Sequence, residues 1–180
     1  TKQLQVLYTF EENGGTIVHD VSGAGVALDL QIVETAAVEW LKGGLKLKAP
    51  ALLTSQGAAT RLIEAVKASN ELTVEAWIQP AAATAAGLAR ILTLSGGPAA
   101  RNVLLGQTGG QFHLGLRSST TNLNASNKAL TGGGVDTTKP IHVVCTRNAE
   151  GLLRMYVAGE IVASRNVTGN FSNWANDFQL

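Results

Sequence analysis

The chain has 180 residues, with 14 Lys+Arg against 13 Asp+Glu and a formal net charge of +1. Apolar residues make up 45% and charged residues 15%, which excludes a disordered acidic or basic tail and predicts a packed core. There is no Lys/Arg cluster of the kind a nucleic-acid or anionic-membrane binder needs, and the longest uncharged, mostly apolar run, Ala76 to Ala89, is too short for a transmembrane helix and is broken by Pro80 and Gly87.

The length predicts one domain, 1–180. The 20 Gly fall between short apolar runs, and such runs with turn signals about every 8–12 residues predict an all-β sandwich or barrel. Gln5–Phe10 is the first predicted strand. Leu28–Val33 and Leu45–Lys48 follow, the latter alternating apolar and basic as a strand with one wet face does. Ser55 to Asn70 breaks the β pattern, since Ala59, Leu62, Ile63 and Val66 recur at helical spacing, with Ser55 as N-cap and Asn70 as stop. One short helix is therefore predicted over about 55–69, inserted between strands.

Leu72–Ile78 alternates, placing Leu72, Val74, Ala76 and Ile78 on one face. The stretch from Ala81 to Gly87 is low in complexity and reads as a surface loop. Leu88–Ser95 and Asn102–Gln107 pair around a Gly96-Gly97-Pro98 turn. Gln111–Arg117 puts Phe112, Leu114 and Leu116 on one face and His113 and Arg117 on the other. Ser118 to Thr138 is rich in Asn, Ser, Thr and Gly and is predicted as a long surface loop. Ile141–Arg147 is apolar on both faces, as a central strand covered on both sides would be. It holds the single Cys145, which permits no internal disulfide and reads as a small buried thiol. Leu152–Val157 and Glu160–Ser164 flank Ala158-Gly159, a two-residue hairpin turn.

Four of these segments, in order, resemble the laminin-G-like (concanavalin A-like) jelly-roll family. They are Leu7–Glu12 leading into His19–Gly23, the Trp-bearing Leu72–Ile78, His142–Arg147, and Leu153–Glu160. Arg101–Gln107 and Leu116–Arg117 are similar to a bacterial branch of such domains, mostly uncharacterised. The resemblance implies a two-sheet antiparallel sandwich. It also implies a chain lacking its last strands, because family members usually continue through two further strands beyond Leu180. That would leave an apolar edge near Asn166–Leu180 for a neighbouring copy, segment or protein partner to complete. Ala158 stands where the family hairpin carries Asp, so any role of that carboxylate is absent.

No catalytic constellation is legible. Glu75 stands on its strand without a partner carboxylate, whereas two-carboxylate glycosidases need a pair, and no nucleophile elbow or zinc motif occurs. The chain is therefore read as not an enzyme. The family often holds a calcium at the sandwich rim through oxygen ligands, and Asp20, in its Asp-x-Ser-Gly turn, and Asp29, beside apolar residues on an expected edge strand, are the candidate ligands. The simpler reading is that Asp20 accepts hydrogen bonds from its own turn. A ligand groove is expected from His113 and Arg117, which share a strand face, and from Trp174, whose polar neighbours favour exposure. Arg90, His142 and Arg147 lie on other strands of the sandwich, but His142 and Arg147 differ in parity and should not both reach that groove, and the simpler reading pairs these side chains with Glu75, Glu150 and Asp136 in structural hydrogen bonds and salt bridges. Trp77 reads as packed and Trp40 as the staple of a corner. Asn124, Asn166 and Asn170 open Asn-x-Ser/Thr sequons.

These readings converge on a non-catalytic recognition or assembly module of an extracellular or cell-surface protein, binding a protein partner. The alternative is a carbohydrate-binding, lectin-like module, with calcium assistance if Asp20 is a ligand. A groove lined by Trp174, His113 and Arg117 would favour a saccharide. An apolar exposed edge near 166–180 would favour assembly.

Overall fold

The computed structural model describes residues 4–180. Two compact units divide the chain: one runs up to Leu62 and takes in Asn176–Leu180, and the other is Ile63–Ala175.

The first unit carries β1 (Ile17–Val18), β2 (Leu30–Ile32), β3 (Val38–Leu41), β4 (Gly44–Leu47) and β5 (Leu53–Ser55). A three-stranded antiparallel sheet runs β1-β2-β5, and β3 and β4 form a separate hairpin. Val18, Leu30, Ile32 and Val38 are the buried centre, with Tyr8, Phe10, Trp40, Leu45 and Leu53 packed around them. Trp40 does staple a corner, its indole Nε1 donating to Gly15 O at 3.0 Å.

Gln5–Phe10 forms no regular strand, and the strand expected over 28–33 shortens to Leu30–Ile32. Asp20 is the reason. Its carboxylate accepts the N–H of Leu7 at 3.0 Å and of Leu28 at 3.1 Å, so neither amide is available to a ladder. The end of the chain returns to this unit: Ser55 N donates to Leu180 O at 2.9 Å and Ala59 N to Phe178 O at 2.8 Å.

The predicted helix is α1 (Thr60–Ser69), with Ile63 and Val66 buried. It starts later than expected. Ser55 ends β5 instead of capping the helix, and its buried hydroxyl donates to Gly57 O at 2.7 Å. Asn70 terminates it in the left-handed region, at φ 56°, a conformation Asn tolerates at a helix end.

The second unit holds β6 (Leu72–Ile78), β7 (Ala85–Gly97), β8 (Ala100–Gly109), β9 (Gln111–Leu116), β10 (Leu130–Gly134), β11 (Ile141–Arg147), β12 (Leu152–Val157) and β13 (Glu160–Asn166). They form two four-stranded antiparallel sheets, ordered β10-β9-β8-β7 and β13-β12-β11-β6. Period-2 alternation turns one face of each sheet inward. Val103, Leu105, Phe112, Leu114 and Leu116 are buried from one sheet, and Val74, Val143, Cys145, Leu153 and Met155 from the other. This is the expected all-β jelly-roll sandwich. Burial pushes the Cys145 thiol up to about 12. The β12–β13 hairpin turns through Ala158 and Gly159 with φ 52° and 88°, two left-handed residues as a type I′ turn requires.

Four expectations change. β7 and β8 run longer than predicted and absorb Ala85–Gly87 from the expected loop. The polar stretch 118–138 contains β10, which its glycines disguised: a Cβ on Gly132 would lie 2.9 Å from Val162 O, so only a residue without one fits there. The strand covered on both faces is β8, whose residues 101–107 are all buried, and not β11, which alternates buried with half-buried. Val167, Phe171, Trp174 and Phe178 are all buried, so the apolar exposed edge expected over 166–180 is not found. That segment folds back on its own chain, with Ser119 N donating to Asn170 O at 2.9 Å and Trp174 N to Phe171 O at 3.0 Å.

Candidate functional site

The residues expected to line a groove do not form one. Trp174 is 2% exposed. Its Nε1 donates to Arg117 O at 2.7 Å, and its ring packs on Phe171 at 4.7 Å between centroids. The polar neighbours that favoured exposure are turn residues around a buried anchor. Arg147 is also 2% exposed, donating to main-chain oxygens of Asn70, Asn148, Val167 and Gly169, with its guanidinium 4.6 Å above the Phe171 ring centroid.

His113 and Arg117 stand, as alternation required, on the face of β9 away from Phe112, Leu114 and Leu116, but that face is lidded. A Cβ on Gly115 would meet Ala125 O at 2.7 Å, Arg101 N donates to Leu123 O, and Asn102 and Leu104 are fully buried. Both side chains are half-buried. Burial first, and then the charge of Arg101, holds His113 below the usual imidazole range. Burial likewise lowers Arg117 from its ordinary value. Arg90 lies in register with His113 through Gly106, whereas His142 belongs to the other sheet.

Asp20 lies in the first unit with its carboxylate 1% exposed. Oδ1 accepts the N–H of Leu7 and of Ser22, and Oδ2 accepts that of Leu28, while Arg61 lies 3.5 Å from Oδ2. Burial opposes its ionisation, but the hydrogen bonds from Ser22, Leu7 and Leu28 outweigh that and hold it below the ordinary carboxylate range. Tyr8 donates to Leu28 O nearby. Burial, then the charges of Asp20 and Asp29, push its phenol up. Asp29 accepts from Asp20 N and contacts His19 Nδ1 at 3.0 Å. Three amides and a guanidinium already occupy the Asp20 oxygens, a donor environment that does not fit a calcium ion. Among the described residues no group of three or more His, Cys, Asp or Glu is placed to hold a metal.

The surface that does gather binding chemistry is the outward face of the β6-β11-β12-β13 sheet. The apolar face of β6 is Leu72, Val74, Ala76 and Ile78, so alternation turns Thr73, Glu75 and Trp77 outward. Register then sets His142 beside Trp77, Val144 beside Glu75 and Thr146 beside Thr73. On β12, Tyr156 lies beside Val144 and Arg154 beside Thr146. Ile161 and Ser164 of β13 complete the last two rows. Trp77 is 70% exposed yet ordered: its ring stacks on His142 at 4.7 Å and 17° between planes. His142 Nε2 is 2.8 Å from Glu75 Oε1, which fixes the imidazole from its other side. Glu75 is the one carboxylate in these rows.

The signal for this site was in the sequence. The alternation that made Val74 a core residue placed Trp77 outside; the habit of burying tryptophan in strands hid it.

No curated protein matches the chain. Among solved structures it is similar to the botulinum neurotoxin serotype C1 binding domain, at 13% identity and TM-score 0.62, covering 97% of this chain and 41% of that one. It is also similar to the Trypanosoma rangeli sialidase in complex with sialic acid, at 16% identity and TM-score 0.55, covering 93% of this chain and 28% of that one. The chain thus spans less than half of either protein, and at these identities the likeness is one of fold. Among the described residues no helix is long and apolar enough to cross a membrane. The family model of the concanavalin A-like lectin/glucanases superfamily, in its laminin-G form, matches residues 54–180, a span that includes both four-stranded sheets; the chain belongs to that superfamily.

Proposed function

We propose that this chain is a non-catalytic recognition module that holds a saccharide on the outward face of the β6-β11-β12-β13 sheet. One observation carries the reading: Trp77, 70% exposed near the C-terminal end of the regular strand β6, is held upright by its stack on His142. A pre-ordered indole offers apolar area at little entropic cost. Glu75 and the hydroxyls of Thr73, Thr146 and Tyr156 supply the polar partners that sugar hydroxyls need. Glycoside hydrolysis by the two-carboxylate route has no second carboxylate to use on this face. The reading places the module outside the cell or at its surface.

A glycan array probed with the wild-type chain and with Trp77→Ala tests this, run with calcium and again with a chelator. We expect wild-type binding that persists in chelator. The variant should be weakened about thirtyfold, the effect of truncating an aromatic hot spot worth about 2 kcal/mol. Its unfolding curve should be unchanged, because the side chain is largely in water. A folded wild-type protein that binds no glycan sinks the reading.

A protein partner is the second reading. What favours it is β7, a 13-residue edge strand on which Leu88 and Ile91 are each exposed by more than a third. Such an edge accepts an added strand.

A further inference from the structure

Resting on the saccharide reading and narrowing it, we propose that the ligand is an acidic oligosaccharide whose carboxylate or sulfate is held by Arg154. The register builds one row across all four strands: Thr73 on β6, Thr146 on β11, Arg154 on β12 and Ser164 on β13. Thr146 and Ser164 therefore flank the guanidinium, Thr73 extends the row beyond Thr146, and no carboxylate stands in it. The guanidinium groups of Arg61, Arg101, Arg147 and Arg165 are each engaged by an acceptor of the chain itself; Arg90 and Arg117, like Arg154, have no side-chain partner among the described residues, but they stand on or beside strands of the other sheet. Arg154 is half-buried and has no hydrogen-bond or ion-pair partner among the described residues. An unengaged guanidinium flanked by neutral hydroxyls is a ready site for a planar or tetrahedral oxyanion, which it can grip through two parallel N–H donors.

The face is also polarised along its length. Glu75 sits in the row next to Trp77 and is tied to His142 at 2.8 Å, so a ligand anion is disfavoured at that end. Arg154 stands two strands away from Trp77 and two rows along. Strand spacing puts Tyr156 ~12 Å and Arg154 ~16 Å from Trp77, a span that calls for an oligosaccharide rather than a single sugar. A neutral ring then stacks at Trp77, the chain crosses Tyr156, and the acidic group ends at Arg154.

The test is a panel of acidic oligosaccharides, each immobilised beside its carboxyl-reduced or desulfated counterpart. It is probed at low and moderate salt with the wild-type chain, Arg154→Gln and Trp77→Ala, each first checked for its native circular dichroism. We expect the wild type to prefer the acidic member of a pair by about tenfold, the value of one charge-assisted hydrogen-bonded contact. The preference should shrink as salt rises. Arg154→Gln should bind both members at the neutral level, and Trp77→Ala should bind both about thirtyfold more weakly. Equal wild-type binding within every pair, or an acidic preference that survives in Arg154→Gln, overturns the Arg154 assignment and leaves the saccharide reading standing. Binding to no member of the panel removes both.

Discussion

Arg147 shows how far the role of one side chain can lie from its appearance in a sequence. On a strand it reads as a cation available to a ligand. In the fold it bridges main-chain carbonyls of Asn70, Asn148, Val167 and Gly169 while covering the Phe171 ring. Among the described residues no carboxylate pairs with it, and its charge is spread over carbonyl dipoles arranged to suit a planar fork. Lysine keeps the charge but presents it at one point, leaving carbonyls such as those of buried Val167 and half-buried Asn70 without this donor, each costing about 1–3 kcal/mol less whatever water recovers. Arg147→Lys is therefore expected to lose about 2–4 kcal/mol in urea unfolding, with far-ultraviolet dichroism unchanged before the transition. A loss below about 0.5 kcal/mol would make the cage incidental. Trp174 teaches the same lesson from the other side: its neighbours predicted water, but they are the turn that wraps it.

Among the elements, those with strict alternation were legible and those with glycine or a competing carboxylate were not. β6, β9, β11 and β12 emerge at or near their predicted bounds because each buries alternate apolar residues. β10 was hidden because the sheet needs glycine where it passes Val162, and glycine reads as loop. Gln5–Phe10 failed as a strand because Asp20 takes the Leu7 amide. Half of the candidate site was equally legible: parity placed Glu75 and Trp77 together, but which strand would lie beside them is a matter of register, and no local pattern fixes that. The β12–β13 turn carries a further consequence. Ala158 adopts φ 52° where Asn or Asp is favoured at far lower cost. Ala158→Asn should stabilise the fold by roughly 0.5–1 kcal/mol, read as a rise in the denaturant midpoint at constant slope. No change would mean that the turn contributes equally to the unfolded ensemble.

On the scale of the molecule, the two units owe their integrity to different chemistry. The second is a sandwich with long ladders and a wide apolar core. The first has short strands, and much of its order passes through the ionised Asp20. Because Asp20 titrates below its unfolded value, its contribution is fully present above about pH 4, the ordinary aspartate range, and is lost as pH falls through the lower folded value. Hydrogen exchange between pH 5 and 2.5, corrected for intrinsic rates, should therefore show residues 5–60 opening before the strands of the sandwich. In Asp20→Asn the same residues should exchange faster already at pH 6 and show less further change on acidification. Simultaneous opening of both units would refute the assignment of that stability to Asp20.

Cys145, the single thiol, is 2% exposed on the inward face of β11. Burial suppresses its thiolate, and the thiolate is what reacts, so an alkylating dye in neutral buffer finds no nucleophile until the sandwich parts. The chain thus carries a natural fuse: its rate of irreversible tagging counts excursions of the second unit alone, leaving those of the first unrecorded.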